Sequence, residues 1–440
     1  MVLVLLTSII SILGMVALLV VKPTLRLGSF KLSTFYYPPL IGAIVLLCNQ
    51  DGLWDSFISS VTSEAATNPI KLLVLFFSMS FLSLALDEAG FFSFLASKAI
   101  AYGKKQTSLF VLIYFVTGIL TIFTSNDIVV LTFTPFILNF CKRAKISPLP
   151  FLMEEFVSAN TFSMTLLIGN PTNIYLSESA GFAFFDYLEI TFIPTMLAAA
   201  TSFLLLYILF RKSLSTPLEI DYEETPLKDK LSTFVGLGAL GICIILLSIS
   251  SWIGVEMYAI CLALAGSYFV FLFFYGISKA ARNEKEPFAL LNGSIARMPY
   301  SLIPFLLSMF VIVHGCSLAG VNEAIAGALS RLPQIYGVGI TSYLSCSLMN
   351  NIPMSVLYAE LVPEMGGNAV ANYYAAVIGS NLGALLTPLG ALAGIMWMSM
   401  LDEKGCHLSF LDFSKYGAAI SIISLIVALG GLQLSLFLFQ

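Results

Sequence analysis

Residues Thr124 to Phe136 read TSNDIVVLTFTPF, and an Asn–Asp pair stands in the middle of an otherwise apolar run. That run extends from Ser108 to Phe140, 33 residues. As one helix it would be ~50 Å long, against a bilayer core of ~30 Å. Both flanks are basic, with Lys104 and Lys105 before it and Lys142, Arg143 and Lys145 after it. Lys and Arg collect on the cytoplasmic side of membranes, so both ends belong inside and the segment must turn back. TSND supplies turn chemistry near its middle. The arms, Ser108–Phe123 and Ile128–Phe140, are each too short to span. The expectation is a re-entrant hairpin over 107–141 with polar residues at its tip.

The rest of the chain agrees with a lipid environment. Of its 440 residues 58% are hydrophobic and only 10% charged, against about 25% charged in soluble chains. The fold class expected is an all-α polytopic membrane protein. The N-terminal stretch MVLVLLTSIISILGMVALLVVKP has no basic n-region and no A-x-A cleavage site, and it reads as a first transmembrane helix. About 10 spanning segments are expected: 2–21, 33–49, 71–87, 151–177, 185–210, 231–251, 255–277, 300–317, 369–399 and 415–438. A second apolar region, 335–362, reads like 107–141 as a hairpin. With this topology 19 of the 21 Lys and Arg fall in loops assigned inside, only Lys71 and Arg331 fall outside, and both termini lie outside. The seven cysteines are scattered without a CxxC, which suggests neither a disulfide framework nor a zinc site. His314 and His407 are too few for a His-rich metal site and read as a packed helix residue and a loop residue.

A polar linker, 211–230, divides two nearly equal halves. Repeat 1 (1–210) orders scaffold helices, an amphipathic segment at 88–103, hairpin 107–141, broken helix 151–177 and a return helix. Repeat 2 (231–440) gives the same order with the membrane sense reversed: scaffold helices, an amphipathic segment at 318–333, hairpin 335–362, broken helix 369–399 and a last helix. This is the pattern of an inverted-topology repeat. SNDIVVL at 125–131 echoes MNNIPMSVL at 349–357, pairing Asn126 with Asn350. SAN at 158–160 echoes GSN at 379–381, pairing Asn160 with Asn381. IGNPTNIY at 168–175 echoes LTPLGALAG at 386–394, pairing Pro171 with Pro388.

Backbone freed from helical bonding cannot face lipid, so hairpin tips and broken helices must be buried or line an aqueous cavity. Half-helix N-termini suit an anion, and unwound carbonyls with Asn or Thr oxygens suit Na+. The substrate-binding residues expected are Ser125, Asn126, Thr172, Asn350, Asn351, Thr387 and Pro388. The coupling-ion residues expected are Asp127, Asn126, Gly169, Asn170, Asn173, Asn350 and Asn381. Asp127 carries two readings: binding Na+ or a proton, or capping the arm that begins at Ile128. Glu154 and Glu155 read as helix-start acids favoured by the dipole. Glu178 and Glu360 read as residues near the outer ends of their segments. Gly383, Gly390 and Gly394 read either as close-packing positions or as site positions.

These motifs resemble the ion transporter superfamily, which includes divalent-anion/sodium symporters, citrate permeases, arsenite efflux pumps and NhaD-type sodium/proton antiporters. TSNDIVVLTFTP, NPTN, NNIP and NLGALLTPLGALAGIMW stand in the order that superfamily uses, across most of the chain. SND and MNN stand where the sodium/dicarboxylate branch carries Ser-Asn-Thr tips. ND at the first tip and the NLG…LTPLGALA…W run are closer to the arsenite-pump and small-anion-permease branches. The resemblance implies a homodimer whose hairpins and broken helices move as one body in an elevator motion. The function expected is a secondary transporter of a small inorganic or carboxylate anion or oxyacid, coupled to Na+ or H+, in the cell's inner or plasma membrane. The alternative is a sodium/proton antiporter with Asp127 as the exchanged site. No cofactor and no nucleic-acid partner are expected. The GxxxxGK[ST] phosphate loop is absent from the sequence, which argues against ATP hydrolysis by this chain. A passive channel would need a continuous polar path, whereas the polar groups cluster at one depth. An intramembrane enzyme would need a Ser/Lys, Ser/His, HExxH or paired-aspartate arrangement in the spans, and the sequence has none.

Overall fold

The computed structural model describes residues 1–21, 24–27, 30–65, 68–102, 105–215 and 225–439. The first half begins with α1 (Val2–Val21), a two-stranded ribbon, α2 (Tyr37–Asn49) and α3 (Leu53–Thr62). It continues with α4 (Pro69–Glu88), α5 (Phe91–Tyr102), α6 (Gln106–Phe123) and α7 (Asn126–Ala144). Then come α8 (Leu149–Phe162), a 3-10 turn at Leu167–Gly169, α9 (Pro171–Ala180) and α10 (Phe184–Phe210). The second half comprises α11 (Lys230–Ser248), α12 (Ser250–Ile253), α13 (Met257–Ala281), α14 (Ala289–Ala296), α15 (Leu302–Leu318) and α16 (Val321–Leu329). It ends with α17 (Gln334–Met349), α18 (Asn351–Glu364), α19 (Ala369–Gly383), a 3-10 turn at Pro388–Gly390, α20 (Leu392–Glu403) and α21 (Phe410–Phe439).

The expected all-α polytopic fold is present, with one addition. Residues 22–31 were expected as a loop, and the chain there forms an antiparallel ribbon of β1 (Thr24–Leu27) and β2 (Phe30–Ser33), with Leu25 opposite Leu32. The central part of the expected linker lies outside the described residues. Six helices among the described residues are long and apolar enough to cross a membrane: α4, α6, α10, α11, α13 and α21. Of the apolar window in α4, 72% is buried, against 33% in each of α10, α11 and α13. The last three therefore keep a broad apolar face for lipid, and α4 lies inside the bundle.

The run 108–140 is not one rod. α6 ends at Phe123, Thr124 and Ser125 are extended, and α7 starts at Asn126. The two arms pack against each other, and both pack on α5 and α8. The region 335–362 breaks in the same way at Asn350, between α17 and α18. Both expected broken helices are broken: α8 and α9 are separated by eight non-α residues, 163–170, and α19 and α20 by another eight, 384–391. Two helix starts, those of α4 and α9, have a shared local sequence cause. Asn68 and Asn170 each accept a backbone N–H two residues on, with Pro69 and Pro171 as first helical residues. Asn is a favoured N-cap, and Pro at the first helical position has no N–H to leave unpaired.

The two halves share their packing pairs. α6 lies on α8 as α17 lies on α19, α5 touches α7 as α16 touches α18, and α8 touches α10 as α19 touches α21. α4 packs on α13 as α15 packs on α2, and α10 and α21 pack on each other. The close approach of α17 and α19 needs small residues. A Cβ at Gly379 would collide with Ser342 Oγ and the Gly339 carbonyl, and one at Gly383 would meet the Tyr343 carbonyl and Cys346. α8 is buried from Pro150 to Phe162 and α19 from Ala371 to Gly383, so each half places its broken helix innermost.

Candidate functional site

The four interruptions converge on a network of asparagines. At the first tip, Asn126 Nδ2 donates to Asn160 Oδ1 on α8 at 3.0 Å. Beyond α8, Ser163 Oγ lies 2.8 Å from the Asn160 carbonyl and 2.8 Å from Asn381 Oδ1 on α19, and can donate to either. Asn381 is the hub. Its Oδ1 also accepts from Asn170 Nδ2 at 2.9 Å, and its Nδ2 reaches Asn173 Oδ1 at 2.7 Å and the Val377 carbonyl at 2.9 Å. Thr172 Oγ1 meets Ser380 Oγ at 3.2 Å. From the second tip, Asn351 Nδ2 approaches Asn170 Oδ1 at 3.5 Å. All these side chains are at most 5% exposed. The network joins the two halves, with Asn126 of the first tip and Asn351 of the second among its members.

Buried amides without partners are expensive, about 1–3 kcal/mol per orphaned group. The network satisfies most of its members with one another. Asn126 Oδ1 is an exception, with no hydrogen bond among the described residues.

The expected site residues fall into three groups. Asn126, Asn170, Thr172, Asn173, Asn351 and Asn381 belong to the network. Asn350, Thr387, Pro388 and Gly169 shape the breaks. Asn350 Nδ2 donates to the Leu389 carbonyl at 3.0 Å, and its Oδ1 accepts from Ile352 N at 3.3 Å. Thr387 Oγ1 donates to the Ser347 carbonyl at 2.6 Å, and Pro388 opens the second 3-10 turn. A Cβ at Gly169 would collide with the Ser163 carbonyl, and one at Gly390 with Ala384. Gly383, Gly390 and Gly394 all abut backbone, which favours the close-packing reading for them. Ser125 and Asp127 form the third group. Ser125 lines a cleft of about 10 Å³, room for one water, between the first tip, α4 and the start of α9. Asp127 sits in the first turn of α7, and no hydrogen bond or ion pair to its carboxylate is found among the described residues.

Two expectations are corrected. The motif pairs shift: the helix caps at the two tips are Ser125 and Asn350, so Asn126 corresponds to Asn351 and Asp127 to Ile352. At the broken helices Gly169 corresponds to Gly390, at the same spacing as Asn160 and Asn381, so Asn170 faces Ala391 and Pro171 faces Leu392. The sequence echo matched prolines, whereas the backbone matches turns. Second, Glu154 and Glu155 are not helix-start acids. They lie in the second turn of α8 and are fully buried. Thr134 Oγ1 is 3.2 Å from both oxygens of Glu155, and neither oxygen of Glu154 has a partner among the described residues. Sequence reasoning also missed Ser163 and Ser380. Serines in apolar helices usually bond back to their own helix, so composition alone gives them no signal.

A larger cavity, about 340 Å³, lies elsewhere and is lined by Glu64, Lys71, Glu178, Glu256 and Tyr258 among others. Lys71, one of the two basic residues assigned outside, is already paired there with Glu64 at 3.1 Å and Glu256 at 2.8 Å.

Residues 1–377 match the family described as citrate transporter. The chain belongs to that family. As a member of the citrate transporter family it is a multi-pass integral membrane transporter. It is similar to the arsenical pump membrane proteins of Yersinia enterocolitica and Escherichia coli strain K12, at 27% identity over 82% of this chain and 85% of each relative. A 46 kDa membrane protein of Mycobacterium leprae is 25% identical over 83% of this chain and 85% of its own. Among solved structures, the Alcanivorax borkumensis YdaH transporter is similar with a TM-score of 0.56 at 16% identity, covering 98% of each chain. At that identity the likeness shows the fold alone.

Proposed function

We propose that the chain is a secondary active transporter moving a small anion or oxyacid, coupled to Na+ or H+. The single observation that carries this reading is the asparagine network at the meeting of four helix interruptions. Half-helix N-termini at α7, α9, α18 and α20 supply positive dipole ends, and amide and hydroxyl oxygens supply cation ligands. The matching order and packing of the two halves support inverted repeats facing each other across that centre. Ser125, Asn126, Thr172, Asn350, Asn351, Thr387 and Pro388 then face substrate. Asp127, Asn126, Gly169, Asn170, Asn173, Asn350 and Asn381 serve the coupling ion. The naming of two relatives as arsenical pump membrane proteins favours an inorganic oxyacid such as arsenite, exported. A homodimer, an elevator motion, an inner- or plasma-membrane location and termini outside complete the proposal.

Among the described residues no partner balances Asp127, which favours the coupling reading over the cap alone. In proteoliposomes holding a pH or Na+ gradient, Asp127→Asn abolishes gradient-driven arsenite movement while the protein stays monodisperse in detergent. Wild-type rates in that variant leave Asp127 as a cap and remove it from coupling. A sodium/proton exchange that runs without any anion or oxyacid favours the antiporter alternative.

A further inference from the structure

Three sulfurs meet where α4, α11 and α13 pack together, at positions that no motif marks. Cys243 Sγ on α11 lies 3.8 Å from Cys261 Sγ on α13 and 3.9 Å from Met79 Sδ on α4. Both cysteines are fully buried, and Met79 is nearly so. Cysteine and methionine often serve only as soft packing groups, and the other half shows what packing alone requires. Gly90 and Gly320 both take positive φ immediately before α5 and α16. That register sets Met79 against Met309, which is also buried. α15 packs on α2 as α4 packs on α13. Yet α2 buries Pro39, Gly42, Ala43 and Leu46, and its one cysteine, Cys48, is exposed. A methionine packs at this place without thiols in one half, and the other half adds a pair of them.

The sulfurs adjoin the larger cavity. Leu75 and Met257 line it, and Met79 and Cys261 follow them one helical turn on, ~5.4 Å along the axis. The charged residues of its lining are Glu64, Glu178 and Glu256 against Lys71 alone. Such an acidic excess concentrates cations, whereas neutral arsenous acid gains nothing from it. Thiolate and thioether sulfurs select soft ions such as Cu+. On a metal–thiolate bond of about 2.3 Å, sulfurs at these separations subtend roughly 110–115° at the metal, an angle that suits three ligands. Zn2+ takes four, and among the described residues no group of three or more His, Cys, Asp or Glu side chains could hold a metal. We propose that Cys243, Cys261 and Met79 form a binding site for one soft monovalent metal ion of the Cu+ or Ag+ kind, reached through the acidic cavity and separate from the asparagine network. As the metal–sulfur bond forms, one thiol gives its proton to water. The ion thus replaces a proton, and the buried cluster keeps its charge, which avoids the large cost of an uncompensated one.

The test uses purified full-length protein in detergent, carrying Cys48→Ser and Cys406→Ser to remove the two cysteines that are not buried. The probe is Ag+, which keeps its oxidation state, in chloride-free buffer with glutathione as competitor. Elemental analysis after desalting counts the metal retained. This parent protein holds one Ag+ per chain and melts at a higher temperature with it. Cys243→Ala and Cys261→Ala each lose the ion. Met79→Leu, which conserves volume and so separates a lost ligand from a lost fold, releases it at a glutathione concentration at least tenfold lower. Cys316→Ala behaves as the parent. The proposal is overturned if the parent retains no Ag+, if either alanine variant retains it as the parent does, or if Met79→Leu changes nothing. A parent that retains arsenite in place of Ag+ overturns the monovalent assignment, and a Cys243–Cys261 disulfide in the untreated protein overturns the site.

Discussion

At the first broken helix the backbone passes Ser163 at φ −59°, ψ −21°, Leu166 at −121°, 154° and Asn170 at −150°, 137°. At the second it passes Ala384 at −61°, −18°, Thr387 at −136°, 151° and Ala391 at −142°, 151°. The two paths are nearly the same, and the chemistry hung on them is not. The first presents Ser163, Asn170 and Asn173, whereas the second presents Ala384, Ala391 and Gly394 at the matching places. Around it, Ser80, Ser83 and Asp127 match Phe310, Val313 and Ile352. The pairs Asn160–Asn381 and Asn126–Asn351 keep an amide in both. The shared backbone solves a common problem, ending a helix inside a bilayer without orphaned peptide groups facing lipid. The polar side chains then need to be supplied only once, because the two halves face one centre.

The largest effect should follow from Asn381, since the first half's amides are tied through it. Asn381→Ala orphans Asn170 Nδ2, Asn173 Oδ1 and a Ser163 contact. At about 1–3 kcal/mol per orphaned buried group, the loss should be on the order of 3 kcal/mol or more. Asn160→Ala removes only the partner of Asn126 Nδ2 and should cost about a third as much. Thermal unfolding of the two variants side by side measures the ratio. Equal losses would mean that the hub is shared evenly and that the asymmetry is only apparent.

The tips differ too. The first uses two extended residues, Thr124 and Ser125, with ordinary dihedrals. The second uses one, and Asn350 takes φ 79°, ψ 152° to make the turn. That region is nearly confined to glycine and costs about 1–3 kcal/mol elsewhere. Two side-chain bonds hold Asn350 there. Asn350→Ala loses the bonds and keeps the strain, and Asn350→Gly loses the bonds and sheds the strain. The glycine variant should therefore be the more stable by about 1–3 kcal/mol, while both weaken arsenite binding. An alanine variant as stable as the glycine variant would show that the turn is not strained.

Much of the fold was legible because lipid enforces simple rules. Segment length, basic flanks and misplaced polar pairs located both hairpin breaks to within a residue or two of Thr124–Ser125 and Asn350. The asparagines were legible for the same reason, since an amide in an apolar run needs a partner. What was not legible was register. Pro171 and Pro388 look alike as letters, but one starts an α-helix and the other a 3-10 turn. The Glu154–Glu155 pair was misread because α8 begins at Leu149, ahead of the expected 151, which sets both acids in its second turn, where tertiary packing buries them. Ser163 was invisible because a hydroxyl that reaches across to Asn381 differs from a back-bonded one only in three dimensions.

The smallest effect is expected where the second half enters the bundle. Asp229 caps α11 by accepting Ser232 N–H at 2.9 Å, and its other oxygen takes Lys279 at 2.7 Å and Tyr275 at 3.0 Å. Burial alone would raise the Asp229 carboxyl, but Lys279, the Ser232 N–H and Tyr275 outweigh it, and the group is held below the ordinary carboxylate value. A depressed carboxyl contributes stability that is complete above its unfolded value, about 3.9, and is lost as pH falls through the folded one. Asp229→Ala should therefore cost about 1 kcal/mol at neutral pH, the usual worth of a cap. The gap between variant and wild type should close only below about pH 4. Thermal melts from neutral to acid pH measure it. A gap that closes instead near neutrality would assign the effect to a different titrating group and take the clamp out of the comparison between the halves.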